Sequence, residues 1–339
     1  MDLLDTLYVT TPGTSLHLDG DAVRVAHPER PGRQIVPMLR LESMVLWGGV
    51  AVSPDVLRRC SDLGIHVSWI TQNGRLIASV AGDEPGRGEL RLAQSRAHDD
   101  PDHRLYLSRR FLAGKLHGYR QLLLRAARDA EGTRQEQLRE VAELHAEAIE
   151  RMGGAFNLTE CLGIEGRAAR SYFASADLVF SRDAVNMRTR RPPLDPINCY
   201  LSMGYALLRS SVHAALVHVG LDPMIGFVHG VRGTKPSLAL DLMEEMRALL
   251  VDRLVATLVN RGQLDSRRHT RELPGGAVEL TDDGRRVFLE QWALSRQRMW
   301  PHKGLDRRVP AAQIPIMQAR ILARHLREPE FDYQPWVVA

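Results

Sequence analysis

Lysine is nearly absent from this 339-residue chain: Lys115, Lys235 and Lys303 are the only three among 45 basic residues, and the rest are arginine. Cysteine is as scarce. Cys60, Cys161 and Cys199 are odd in number and share no CxxC spacing. That argues against a disulfide framework or a thiolate zinc site and for reduced thiols in a cytoplasmic protein. No run approaches the length of a membrane span, and the N-terminus lacks a charged segment followed by an apolar one, so neither a transmembrane helix nor a secretory signal is expected. Internal repeats and low-complexity tracts are also missing.

What is present is an ample core and an uneven charge. Apolar residues make up 44% of the chain, and the length suits one large domain or two ordinary ones. The formal net charge is +4, but residues 1–90 hold 8 basic and 11 acidic residues, leaving 37 basic and 30 acidic for the remainder. A surface for a polyanion therefore belongs to the second part. The forked guanidinium of arginine suits phosphate; a GC-rich genome that encodes arginine in place of lysine accounts for the bias equally well.

The first ~85 residues read as β-rich. Leu16-His17-Leu18, Asp19-Gly20 and Ala22–Val25 form a strand–turn–strand signal, and Asn73-Gly74 marks a second hairpin between 65–70 and 76–80. Ser53-Pro54 opens a helix that Gly64 closes. A break at 82–86 separates this part from one whose apolar residues recur at helical spacing, including a long helix from Asp195 to Val219 stopped by Gly220. The expected fold is α+β: a β-rich unit over 1–85, then a larger helical unit over 86–339. Trp300-Pro301-His302-Lys303 reads as a turn.

Three side chains in distinctive phrases point to chemistry. Glu165 lies in Gly163-Ile164-Glu165-Gly166, at the head of a helical run, with no basic residue at i+4 to pair with it. The flanking glycines weaken a helix but admit close approach by a backbone or a phosphate. His229 precedes a glycine-rich loop bearing Arg232 and Lys235, which suits a phosphate beside a metal; an isolated histidine is otherwise a hydrogen-bonded core residue. Glu244 heads an apolar seam of Ala248, Val251 and Val255, and a carboxylate buried there needs a pair, a proton or a metal. Asp241, one turn earlier, is a second ligand or a supporting group; Asp241, Glu245 and Asp252 are placed on a more polar face. Two carboxylates and an imidazole suit Mg²⁺ or Mn²⁺. Arg182, Arg188, Arg190 and Arg191 make a basic loop before a helix N-terminus, an anion site in outline, and Arg320, Arg324 and Arg327 share one helix face. Each of these charge runs is equally a solvated surface.

These phrases carry a family resemblance. Residues 190–205, Arg-Arg-Pro-Pro-Leu-Asp-Pro-Ile-Asn-Cys-Tyr-Leu-Ser-Met-Gly-Tyr, resemble a signature of the CRISPR adaptation integrase, the Cas nuclease that inserts new spacers. Gly220-Leu221-Asp222-Pro223 leading to Gly226-Phe227-Val228-His229 resembles its histidine motif, Leu240-Asp241-Leu242-Met243-Glu244 its second acidic motif, and Gln318-Ala319-Arg320 through Arg327 its C-terminal helix. The tail departs: related chains tend to end in Tyr-Pro-Pro-Phe, and this one has Tyr333-Gln334-Pro335-Trp336. The resemblance implies a metal-dependent DNA endonuclease and integrase, with Glu165, His229 and Glu244 as metal ligands and Asp241 nearby. It also implies double-stranded DNA as substrate, a homodimer formed through the β-rich unit, and a small ferredoxin-like dimeric partner. The residues alone also admit a non-catalytic DNA-binding scaffold or a metal-dependent nucleotide phosphohydrolase.

Overall fold

A computed structural model describes residues 5–27, 30–71, 76–80, 87–180, 189, 192–231, 233–328 and 330–338. The Asn73-Gly74 turn, the break at 82–86, and Arg182, Arg188, Arg190, Arg191 and Arg232 lie outside the described residues.

The N-terminal part is two four-stranded sheets. Its strands are β1 (Asp5–Val9), β2 (Ser15–Asp19), β3 (Ala22–His27), β4 (Arg30–Pro37), β5 (Leu41–Trp47), β6 (Ala51–Val52), β7 (His66–Ile70) and β8 (Leu76–Val80), with helix α1 (Pro54–Asp62) before β7. One sheet has the order β4-β3-β2-β6 and the other β1-β5-β7-β8. The β2–β3 hairpin turns through Gly20 at φ 58, the left-handed value that favours glycine, as the Asp-Gly pair anticipates. Ser53 caps α1 by accepting from the Val56 N–H, and Gly64 follows at φ 67.

β5 lies inside its sheet, parallel to both neighbours. Its side chains alternate between two cores, as a period of two dictates. Met44 and Leu46 join Val9, Leu16, Val56 and Val67 in a core confined to the strand-rich part. Val45 and Trp47, with Ile70 of β7, join the larger core built from the helices. A strand covered on both faces reads as a near-continuous apolar run, which is what Met44–Trp47 is.

The rest of the chain is helical: α2 (Arg87–Asp99), α3 (Pro101–Arg128), α4 (Gly132–Gly153), α5 (Leu158–Ala174), α6 (Ala176–Val179), α7 (Pro196–Val219), α8 (Ser237–Met243), α9 (Arg253–Asn260), α10 (Ser266–His269), α11 (Asp282–Arg296) and α12 (Ile314–Arg327). Side-chain caps fix the starts that position the site: Asp100 for α3, Asn157 for α5 and Asp195 for α7, while Gly220 ends α7 at φ 95. α7 is buried along most of its length, including Tyr200, Leu201 and Leu208. Two short ribbons interrupt the helices, β9 (Thr270–Glu272) with β10 (Val278–Leu280) and β11 (Met299–His302) with β12 (Arg307–Pro310). Thus the Trp300–His302 segment is a strand and not a turn. Its alternation is short, and the proline inside it masks the pattern.

Between α8 and α9, residues Arg247–Asp252 wind as a π-helix. The wider turn breaks the 3.6 period counted from Glu244. The apolar seam of Ala248, Val251 and Val255 is buried as expected, but so are Asp241, Glu245 and Asp252. The polar face assigned to those three acids is therefore a correction: all three point into the protein and are satisfied there by specific partners.

Candidate metal and nucleic-acid site

Four segments converge on one polar centre. Glu165 lies mid-way along α5, not at its head, with Ile164 and Ala168 beside it buried in the core. Glu244 sits where α8 passes into the π segment. Lys115 comes from the middle of α3. His229 comes from the loop between α7 and α8. The Lys115 ammonium lies 2.6 Å from Glu165 Oε1 and 2.9 Å from Glu244 Oε2, so a single cation is shared by the two carboxylates. Arg247 reaches the other Glu244 oxygen at 2.9 Å.

The electrostatics follow from depth. Burial alone pushes the Glu244 carboxyl upward, but Arg247, Lys115 and His229 together overcome it and hold the group at about 2. Its neighbour Glu245 shows the opposite balance. Burial lifts it to about 7, against hydrogen bonds from Tyr333 Oη, the Trp336 N–H and Gln318 Nε2 at 2.5, 2.8 and 2.7 Å. Arg247 is raised, since Glu244 and the surrounding acidic groups outweigh its desolvation. Its guanidinium stacks 4.8 Å over Tyr205, whose hydroxyl donates to Asp252 at 2.6 Å beside that of Tyr172 at 2.9 Å.

Asp241 has a different task from the two glutamates. Oδ2 accepts from the N–H groups of Phe227 and Val228 at 2.6 and 2.9 Å, and Oδ1 accepts from the His229 N–H at 3.1 Å and contacts His229 Nδ1 at 2.5 Å. Both oxygens are committed to the histidine loop. With Nδ1 turned to Asp241, the Nε2 edge of His229 is the one presented for coordination. The loop is gripped from outside as well: His98 Nδ1 contacts the Gly226 carbonyl at 2.8 Å, and Arg104 Nε donates to the Phe227 carbonyl at 2.9 Å. Position 226 must be glycine, because a Cβ there would lie 2.7 Å from Asp241 Oδ2 and from Ser237.

The donor set of two carboxylates and an imidazole suits a hard divalent cation. That both carboxylates already converge on one positive nitrogen is the observation that fits such an ion between them. Among the described residues no group of three or more His, Cys, Asp or Glu side chains is gathered for a metal ion; the space between Glu165 and Glu244 is held by the Lys115 ammonium.

Of the candidate phosphate contacts, Lys235 and Arg320 are exposed. Arg324 is spent on Glu328 at 2.9 Å and stacks on Phe331. Sequence reasoning missed Lys115, Arg104 and Arg247, as well as the tail residues Tyr333 and Trp336 that close over Glu245. Lys115 carried a signal, being a lysine kept in a chain that otherwise uses arginine. The tail carried none, because its partner is 88 residues away in sequence.

Comparisons with known proteins identify the family. The family model described as CRISPR associated protein Cas1 matches residues 7–293. A CRISPR-associated endonuclease Cas1 of Moorella thermoacetica is 39% identical over 99% of this chain and 98% of its own length. Another from Rhodospirillum rubrum is 40% identical over 98% of each. Among solved structures, a Cas1 protein from Thermotoga maritima superposes with a TM-score of 0.78 at 23% identity, covering 96% of this chain and 97% of that one. A casposase bound to its integration product gives 0.81 at 21% identity, covering 97% and 92%. At those identities the two structures speak for the fold.

Proposed function

The chain belongs to the Cas1 family of CRISPR-associated proteins, and from that premise we propose how this DNA endonuclease carries out cleavage and spacer integration. The observation that carries the proposal is the pair of carboxylates, Glu165 and Glu244, converging on one cation beside an imidazole held by Asp241. Glu165, Glu244 and His229 Nε2 are the residues that hold a divalent ion, Mg²⁺ or Mn²⁺. When bound, that ion supplies Lewis acidity to the phosphoryl oxygens and orients the attacking hydroxyl or water.

The chain's own residues do the rest. Asp241 fixes the tautomer and direction of His229. Arg247 keeps Glu244 anionic at every physiological pH. Lys115, which neutralises the two carboxylates, would place a positive charge beside an anionic phosphodiester held there. Hydrolysis by water and attack by the 3′-hydroxyl of an incoming spacer are both in-line displacements that the same positioning serves.

The division of labour follows the charge. The β-rich residues 1–85 form the dimerisation unit and 86–339 the catalytic, DNA-binding one. The assembly is a homodimer that engages double-stranded DNA and a small ferredoxin-like dimeric Cas partner. Solved assemblies named for Cas1 with Cas2, which share this fold, are the support for such a partner. Glu165→Ala, His229→Ala and Glu244→Ala are each expected to abolish metal-dependent DNA cleavage while leaving circular dichroism native. Wild-type rates in all three would remove the assignment.

A further inference from the structure

A second cluster of positive charge lies away from the metal site. Arg253 and Arg298 both stack on the buried Trp300, their guanidinium carbons 4.9 and 5.0 Å from its ring centroid. Arg253 opens α9 and Arg298 follows α11, so the indole gathers guanidinium groups from separate elements. Arg125 and Arg128, at the C-terminal end of α3, act electrostatically on Arg253, and Arg125 and Arg308 act on Arg298. Arg128, Arg298 and Arg308 are exposed. Among the described residues none of the five makes an ion pair, and Arg308 makes a hydrogen bond to the Met299 carbonyl at 2.9 Å.

Such a cluster is costly without an anion. Partial burial and the other arginines bring Arg253 down to about 10, against Asp129. The stacking on Trp300 holds two guanidinium planes in place, so less freedom is lost when they take a forked, two-oxygen contact. A phosphate offers each of these forks a pair of oxygens.

Its position relative to the metal site decides which phosphate. Helix α3 carries Lys115 at the metal site and Arg125 and Arg128 further along. At 1.5 Å per residue these lie roughly 15–20 Å away. The stretch that follows Glu244 likewise leads to Arg253. A DNA strand advances about 3.4 Å per phosphate, so a duplex with one phosphodiester at the metal site reaches that distance within about five or six nucleotides.

We propose that Arg253 and Arg298, stacked on Trp300, together with Arg125, Arg128 and Arg308 around them form a second DNA contact that binds backbone phosphates remote from the bond being cut or joined. It rests on the DNA-directed reading of the metal site. Contacts to backbone phosphates position the duplex and carry no sequence information.

The test is a quadruple variant, Arg125→Gln, Arg128→Gln, Arg298→Gln and Arg308→Gln, in the full chain, with Arg253 retained because it is half-buried where Arg298 is exposed. Duplex affinity is measured at several salt concentrations for this variant and for the wild type. The expected result is weaker binding with a log–log salt slope shallower by roughly 2 to 4, since each lost phosphate contact removes about 0.9. The loss is the same for unrelated duplex sequences, and metal affinity read by calorimetric titration is that of the wild type, since Glu165, His229 and Glu244 are untouched. An unchanged slope, with the wild type still cutting DNA, overturns the cluster and leaves the metal-site reading standing. A variant that keeps its slope but no longer assembles with a protein partner assigns the cluster to an acidic protein surface and equally overturns the proposal. Should the quadruple variant fail to fold, the exposed pair Arg128→Gln and Arg308→Gln, followed by the same titration, gives a slope change of roughly half that size, and no change counts against the proposal.

Discussion

Asp241 and His229 are joined twice, side chain to side chain at 2.5 Å and carboxylate to backbone N–H at 3.1 Å, by the same Oδ1 atom. An aspartate placed like this orients the imidazole and seals the loop at once. Asp241→Asn keeps the shape but turns a donor toward groups that are already donors. We expect metal affinity, read by calorimetric titration, to fall about 10–100-fold, with His229 still present and the fold retained. An Asn variant that binds metal like the wild type would free Asp241 from the orienting role.

Lys115 lies 11% exposed between Glu165 and Glu244, where it neutralises the pair and also competes for it. Lys115→Met should therefore have two opposite effects. In chelator the protein should lose stability, by about 3 kcal/mol, toward the lower end of what breaking a buried pair costs, because Arg247 still serves Glu244. With Mn²⁺ or Mg²⁺ present the melting temperature should rise by more than it does in the wild type, since metal binding is linked to folding and no longer displaces an ammonium. Equal metal-induced shifts in the two proteins would show that Lys115 and the ion do not share the space.

The fold was legible wherever local rules coincide with tertiary ones. Ser53-Pro54, Asp195-Pro196 and Gly220 bound their helices where the sequence places them, since a cap is decided within a few residues. The burial of Glu244 was legible too, because Ala248, Val251 and Val255 follow it at helical spacing. The company it keeps was not. The π segment at Arg247–Asp252 alters the register, and no hydrophobic pattern announces an extra residue per turn. Glu165 showed only that it has no partner within its own helix. Its actual partner, Lys115, comes from α3, and a contact across 50 residues leaves no mark on either segment.

Away from the metal site, His66 of β7 and His213 of α7 meet with ring centroids 5.7 Å apart, in the layer where the sheet packs on the helix. Burial and then His213 depress His66 to about 3. Burial and Arg209, against Asp222, depress His213 to about 4. Both histidines are lowered from an ordinary value near 6.5, so the unfolded chain binds more protons than the folded one between those limits. Their contribution is complete above about pH 6.5 and is lost as pH falls through 4 and then 3. His66→Phe should flatten the acid side of the stability–pH curve. A curve parallel to the wild type between pH 4 and 6.5 would exclude the pair as an acid-sensitive joint.

The tail supplies the last prediction. Tyr333 and Trp336 are buried, and with Gln318 they give Glu245 its donors. The fit is close: a Cβ on Gly114 of α3 would fall 2.8 Å from Glu245 Cγ and 3.0 Å from Pro335 Cβ. Tyr333→Phe removes one donor to a buried carboxyl and should cost about 1.5–3 kcal/mol when that carboxyl is charged. The sign of its pH dependence follows from Glu245. Its value of about 7 is raised above the ordinary 4.5, so its favourable contribution is full below the ordinary value and is lost as pH rises through 7. The tyrosine hydroxyl stabilises the ionised form, and its loss raises Glu245 further. The penalty of Tyr333→Phe should therefore be larger above neutrality than below it. Denaturant unfolding of both proteins on either side of pH 7 measures the difference. A penalty that is equal on both sides would mean the hydroxyl serves packing alone, and that the tail closes over Glu245 without regard to its charge.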